Sequence, residues 1–382
     1  MTKRIPLPAV ALTLAASAVL PSALHAETTL APQPRIADAS GAVYTANNSV
    51  NRNEVFVYHR DASGALTFLG EYPTGGRGSG GIIDPLQSQN SLLLSENHRF
   101  LFAVNSGSGD VSTFAVGSEG RLSLLGRAAS GGGFPVALAV HGELLYVLNS
   151  GGAGSVSGFH IQSSGHLQPI VGSTQFLSGA SAGGASIDFS PDGTVLAATE
   201  RLTNRIDTFP ISAGGAAGPA LLNNSAGRTP FSLTFTPQGA LVVAEAAGNP
   251  AGGAALSSYA VQSNDLLSVL TPSAPTGFAA ACWVVATADG NYAYAANAGS
   301  SQISIAAIGD NGALTILGSA GTGPGSTPLD LALSSNNRYL YALTAGAGTI
   351  SAFRVQGNGG LAALAATPSL PAASGQNGLA AY

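Results

Sequence analysis

One short strand pattern recurs seven times along this chain, and that recurrence constrains the fold more than any other feature. Aligned on Tyr-x-x-Asn before glycine-rich turn residues, the copies are Val43–Asn47, Phe102–Asn105, Tyr146–Asn149, Leu196–Glu200, Val242–Glu245, Tyr294–Asn297 and Tyr341–Thr344. From Asn105 onward the strand ends fall 44, 51, 45, 52 and 47 residues apart, the period of propeller blades with four strands each. Every copy has companions in fixed order. In the sixth, Trp283–Ala286 comes before, Ile303–Ile305 after, and Leu314–Leu317 last. Turn sequences such as Ser190-Pro191-Asp192-Gly193 and Ala288-Asp289-Gly290 separate them, so the unit reads as a four-stranded antiparallel meander. Period-2 alternation excludes helical repeats, and the lack of long amphipathic segments excludes α/β crossovers. The expected fold is all-β, a seven-bladed β-propeller over residues 41–382.

The first copy lacks a preceding inner strand, because Glu27–Ala39 carries Pro32 and Pro34 and reads as a linker, assigned to residues 27–40. The last residues, Gly378–Tyr382, supply a strand of the missing type. The C-terminal strand is therefore expected to close the ring as the innermost strand of blade 1, hiding edges that invite aggregation. Between blades 1 and 2 the segment Thr74–Gln89, glycine-rich and carrying Arg77, is expected to be a mobile surface loop or a lid over the channel mouth.

Residues 1–26 read as a secretory signal: Lys3 and Arg4 precede an apolar run from Val10 to Leu20 and the small-residue stretch Ser22–Ala26. No later stretch approaches the roughly 20 apolar residues of a membrane helix. A periplasmic or secreted protein follows, with no membrane partner, and a monomer is expected. Charged residues make up 9% of the chain, far below the norm, which suits β-structure better than helical surfaces. Loss of Lys3 and Arg4 takes the net charge from −5 to −7 with histidine neutral, so a nucleic-acid partner is excluded for want of a basic face. Cys282 is the only cysteine, so no disulfide forms within the chain and the core must suffice alone.

Because the innermost strand and its neighbour run antiparallel, the ends of the seven repeat strands mark one face. Asn47, Asn105, Asn149, Asn297 and Thr344 suit the turns that follow them. Glu200 and Glu245 differ, since two adjacent blades place a carboxylate there in a chain that uses few charges. Such a group can act as general base or pair with an arginine. Arg201 follows Glu200, Arg205 lies across the next turn, and Arg228 precedes the inner strand of the blade that carries Glu245. The plainer alternative is an ion-paired turn in each blade. Cys282 reads as a small buried hydrophobe, and Trp283 either packs between blades or walls the channel mouth. His141 belongs to a turn on the opposite face, while His59, His160 and His166 sit on outer hairpins. No histidine pairs by spacing with a nucleophile, and no hydrolase elbow is present. A channel metal would want its ligands on inner strands, so no metal and no cofactor is expected.

The blade pattern, with Ser190–Leu196 and Thr203–Phe209, resembles the lactonase propellers that include 6-phosphogluconolactonase-like proteins and fungal carboxymuconate lactonizing enzymes. The likeness runs from about Gly41 to Tyr382. Members with known chemistry use a histidine, arginines and a glutamate on one face, with Pro-Arg-His opening one inner strand. Here blade 5 opens Pro230-Phe231-Ser232 and blade 4 opens Gly184-Ala185-Ser186, and Arg201 holds the family's glutamate position in blade 4.

The resemblance implies a hydrolase acting on a small anionic lactone. Glu200 and Glu245 are then the catalytic candidates, and Arg201, Arg228, Asn204 and Trp283 the substrate-binding ones. Two alternatives stay open: a non-catalytic propeller that binds a protein or glycan through one face, and a cycloisomerase that forms the lactone.

Overall fold

A computed structural model describes residues 1–2 and 40–382 except residue 369. The expected export signal (1–26) and linker (27–40) lie outside it, apart from residues 1, 2 and 40. Seven antiparallel sheets follow one another, each ordered from an inner to an outer strand. The inner strands are Leu92–Leu94, Pro135–His141, Gly184–Phe189, Pro230–Phe235, Ala281–Ala286 and Pro328–Leu333 in blades 2 to 7. Blades 3 and 7 each set one further short strand against their third strand, Gln175–Phe176 and Thr367–Pro368. Among the described residues no helix is long and apolar enough to cross a membrane.

Ring closure is as expected. Asn377–Ala381 pairs antiparallel with Gly41–Ala46, placing Val43 opposite Ala381, Tyr44 opposite Ala380 and Thr45 opposite Leu379. The innermost strand of blade 1 thus comes from the other end of the chain, and Arg60 Nε locks it by donating to the Tyr382 carbonyl at 3.1 Å.

The tyrosine of the repeat has a definite task. Tyr44, Tyr146, Tyr294 and Tyr341 donate their hydroxyls to the carbonyls of Gly120, Gly215, Gly359 and Gly64, at 2.7 to 3.0 Å. Each acceptor sits in the outer hairpin turn of the next blade, so each tyrosine is a strut between neighbours. Gly64 must be glycine there. Its φ is +88°, and a Cβ would stand 2.4 Å from the Tyr339 ring.

Five inner strands begin with a break in register: between Pro135 and Ala137, Gly184 and Ser186, Pro230 and Leu233, Ala281 and Trp283, and Pro328 and Leu331. Such bulges lift residues out of the ladder and free backbone groups for other partners. In the channel those partners come from the end of the segment expected to be a mobile loop or lid, and both halves of that segment make hydrogen bonds to the blades. Its first half lies across blades 1 and 2, where Gly78 N–H donates to the Ser49 carbonyl and Gly107 N–H to that of Arg77. Its second half enters the channel. Ser88 Oγ donates to the Val136 carbonyl (2.8 Å) and Gln89 N–H to that of Ala185 (3.0 Å). The Gln89 amide then pairs both ways with Val284, at 2.8 and 2.9 Å, and Ser91 Oγ reaches Asn377 (2.7 Å). These contacts join blades 3, 4, 6 and 1, so residues 86–91 form a plug across the ring.

Candidate functional site at the channel mouth

Both glutamates end their strands on the expected face, yet both are completely buried. Glu200 accepts from the Ser178 N–H (2.6 Å), from Ser178 Oγ (2.5 Å) and from Thr203 Oγ1. Glu245 accepts from Gly227 N–H (2.9 Å), Ser257 Oγ (2.5 Å) and Ser273 Oγ (2.5 Å). Neither is in any ion pair among the described residues, so the ion-paired turn is not what these blades contain.

The asparagines at equivalent positions explain the choice. Asn105 donates to Asp110 and Ser112 while accepting from Asn53 and Thr74, and Asn297 donates to Ser304 while accepting from Thr276. The position is a socket that grips the link arriving from the preceding blade. In blades 4 and 5 a backbone N–H and hydroxyls from two residues turn toward the position, and a carboxylate accepts from them on both of its oxygens. Gly227 completes the fit, for a Cβ would lie 1.8 Å from Glu245 Oε2.

Behind Glu200 stands Asp207, also fully buried, whose oxygens close no hydrogen bond with any N–H or O–H donor. The Glu200 and Asp207 carboxyls act on one another's titration, and like charges so placed favour a proton on one of the two. Burial, then the Glu200 carboxylate, push the Asp207 pKa up to about 8. Burial works to raise Glu200 as well, but hydrogen bonds involving Asp207, Ser178 and Thr203 outweigh it and hold Glu200 below its ordinary value.

The remaining candidates are scattered. Asn204, in a left-handed conformation (φ 56°), accepts from the Thr229 N–H at 2.7 Å and ties blade 4 to blade 5. Arg228 is exposed beside it. Trp283 is 1% exposed: its ring packs on Phe231 with centroids 5.2 Å apart, and Nε1 donates to the Ser88 carbonyl at 2.9 Å. It seats the plug rather than walling an open mouth.

Arg201 is different. Half-buried, it reaches toward the channel, where Asp84, two residues before the plug, and Cys282 of blade 6 lie within its electrostatic range. Its Nε is buried without a hydrogen-bond partner, as is Asp84 Oδ1. Burial lowers the Arg201 pKa and Asp84 works against it. Asp84, held in a left-handed conformation (φ 46°), is pushed up to about 8 by burial, against the Gln87 and Ser88 amides and the Arg201 guanidinium. Burial and Asp84 raise the Cys282 thiol well above its ordinary value. Asp330, 1% exposed at the blade 7 bulge, is raised by the same two causes, and amides of Asn90, Leu331 and Gly378 lean on it without closing hydrogen bonds. Arg201, in no ion pair among the described residues, offers a guanidinium at the mouth, a place for an anion. Sequence reasoning missed Asp84, because a lone aspartate in a glycine-rich loop carries no spacing signal. Among the described residues no three His, Cys, Asp or Glu side chains gather as metal ligands.

The model of the lactonase seven-bladed β-propeller family matches residues 80–179 and 255–375. The chain belongs to that family. No curated protein matches it in sequence. Among solved structures, a Bacteroides fragilis protein provisionally called a 6-phosphogluconolactonase is 19% identical, with a TM-score of 0.70 over 92% of this chain and 100% of its own. The periplasmic gluconolactonase of Pseudomonas aeruginosa is also 19% identical, with a TM-score of 0.68 over 88% and 98%. Hydrazine synthase of Kuenenia stuttgartiensis, 17% identical, superposes with a TM-score of 0.56 over 75% of this chain and 88% of its own. Likeness at this level speaks for the fold, which hosts unrelated chemistry.

Proposed function

We propose that this lactonase-family propeller hydrolyses a small anionic lactone at the channel mouth, with Arg201 as the anion anchor. The observation that carries the reading is the buried, unpartnered Arg201 Nε with Asp84, whose pKa burial raises, as the carboxyl within its electrostatic range. A guanidinium so placed supplies directed donors to a substrate carboxylate or to the oxyanion that develops on a lactone carbonyl. Glu200 and Glu245, each committed to three donors from its own blade and the link that enters it, act here as sockets that hold the rim. The test is a lactone hydrolysis screen on wild type and Arg201→Gln. Wild type should turn over at least one anionic lactone, and the variant should lose about 100-fold or more in kcat/KM with unchanged melting. An inactive wild type would remove the proposal.

A second reading draws on a separate observation. Ile82 (67% exposed) and Leu202 (58%) stand out, with Ile83 and Phe134 exposed to a lesser degree, and such residues suit a protein partner. Binding of a partner that Leu202→Glu abolishes, in a protein without hydrolase activity, would favour it.

A further inference from the structure

The plug does more than fill the channel. Ser88 and Gln89 fix it to carbonyls of blades 3 and 4 and to both backbone groups of Val284, and the Trp283 indole N–H donates to the Ser88 carbonyl. Asp84 stands four residues before this anchorage, at the turn where the segment enters the channel, and its 46° φ is a conformation that aspartate and asparagine tolerate better than other side chains. A carboxyl carried on so rigid a support, turned toward the Gln87 and Ser88 amides yet with Oδ1 unpartnered and Arg201 within its electrostatic range, has the placement of a catalytic group.

We propose that Asp84 is the proton-transfer group of the channel mouth, an inference that rests on the lactonase reading. As carboxylate it takes a proton from water while the water oxygen bonds to the lactone carbonyl carbon. The carbonyl electron pair moves onto its oxygen, where Arg201 meets the negative charge. Collapse breaks the bond to the ring oxygen, which receives the proton from Asp84, and the product is the hydroxy acid. Arg201 of blade 4, Cys282 of blade 6 and Asp330 of blade 7 are the ionisable groups that face it. Burial opposes the carboxylate form most, and of these groups Arg201 favours it. The free enzyme therefore gains activity as pH rises toward a plateau above about 8.

The experiment is kcat/KM against pH for wild type, Asp84→Asn and Arg201→Gln on the lactone found active, corrected for spontaneous hydrolysis, with Asp84 titrated in parallel by carbon-13 NMR of labelled aspartate. Asp84→Asn keeps the backbone preference and should melt as wild type does, lose about 100-fold or more in kcat/KM, and lose the rise toward pH 8. Arg201→Gln should move the Asp84 titration to higher pH. An Asp84→Asn protein within threefold of wild type and with the same pH profile, beside an inactive Arg201→Gln, would overturn this inference and leave the lactonase reading standing. A wild type inactive on every lactone would overturn both.

Discussion

The bridge that Gln89 throws across the ring is open to a direct energetic test. Gln89 is 2% exposed, and its side chain satisfies both backbone groups of Val284, itself fully buried. Replacing Gln89 by alanine strands one buried N–H and one buried C=O, each of which costs about 1–3 kcal/mol. Water entering the vacated volume recovers part of this, so a net loss of about 3 kcal/mol is expected. At an unfolding entropy of about 2.1 cal/mol/K per residue, a fold of this length loses roughly 1.4 °C per kcal/mol, which makes the expected drop about 4 °C. Calorimetry of the Gln89→Ala protein reads it, and hydrogen exchange at Val284 should accelerate with it. Unchanged melting together with unchanged protection at Val284 would refute the plug as a member of the folded ring.

Deletion of the last eight residues removes the strand that pairs with Gly41–Ala46 and exposes that edge, so the truncated protein should lose its cooperative melting transition or aggregate on size-exclusion chromatography. Asp207 gives a pH signature. Its folded pKa of about 8 lies above the ordinary 3.8, so the folded state binds the extra proton. Its contribution is complete below about pH 4 and is lost as pH rises through about 8, by at most about 1.4 kcal/mol per pH unit. Urea denaturation from pH 5 to 8.5 should show a shallower decline for Asp207→Asn than for wild type; parallel curves would contradict the shared proton.

Much of the fold was legible in the sequence because blades repeat. Seven Tyr-x-x-Asn strands at near-constant spacing force seven meanders, and a first copy without an inner strand leaves only the C-terminus to close the ring. What the repeat cannot report is what departs from it. Residues 86–91 have no periodicity, and their role arises from the carbonyls that bulges at Val136 and Ala185 turn into the channel. Glu200 and Glu245 drew notice as scarce charges, but the hydroxyls that claim them lie up to 28 residues away in sequence, where no local pattern points. Arg201 was legible as a charge out of place in its repeat. Its counterpart Asp84 was not, since only the folded plug brings it there.

Arg201 and Glu245 together test the division between site and scaffold. Lactone hydrolysis per folded molecule, measured for wild type, Arg201→Gln and Glu245→Gln alongside their melting curves, separates the two roles. The structure predicts that Arg201→Gln melts as wild type does but loses hydrolysis, whereas Glu245→Gln, which replaces one of the two oxygens that accept from Gly227, Ser257 and Ser273 with an amide donor, loses about 1–3 kcal/mol of stability and keeps its rate. The reverse pattern, a stable but inactive Glu245→Gln beside a fully active Arg201→Gln, would contradict it.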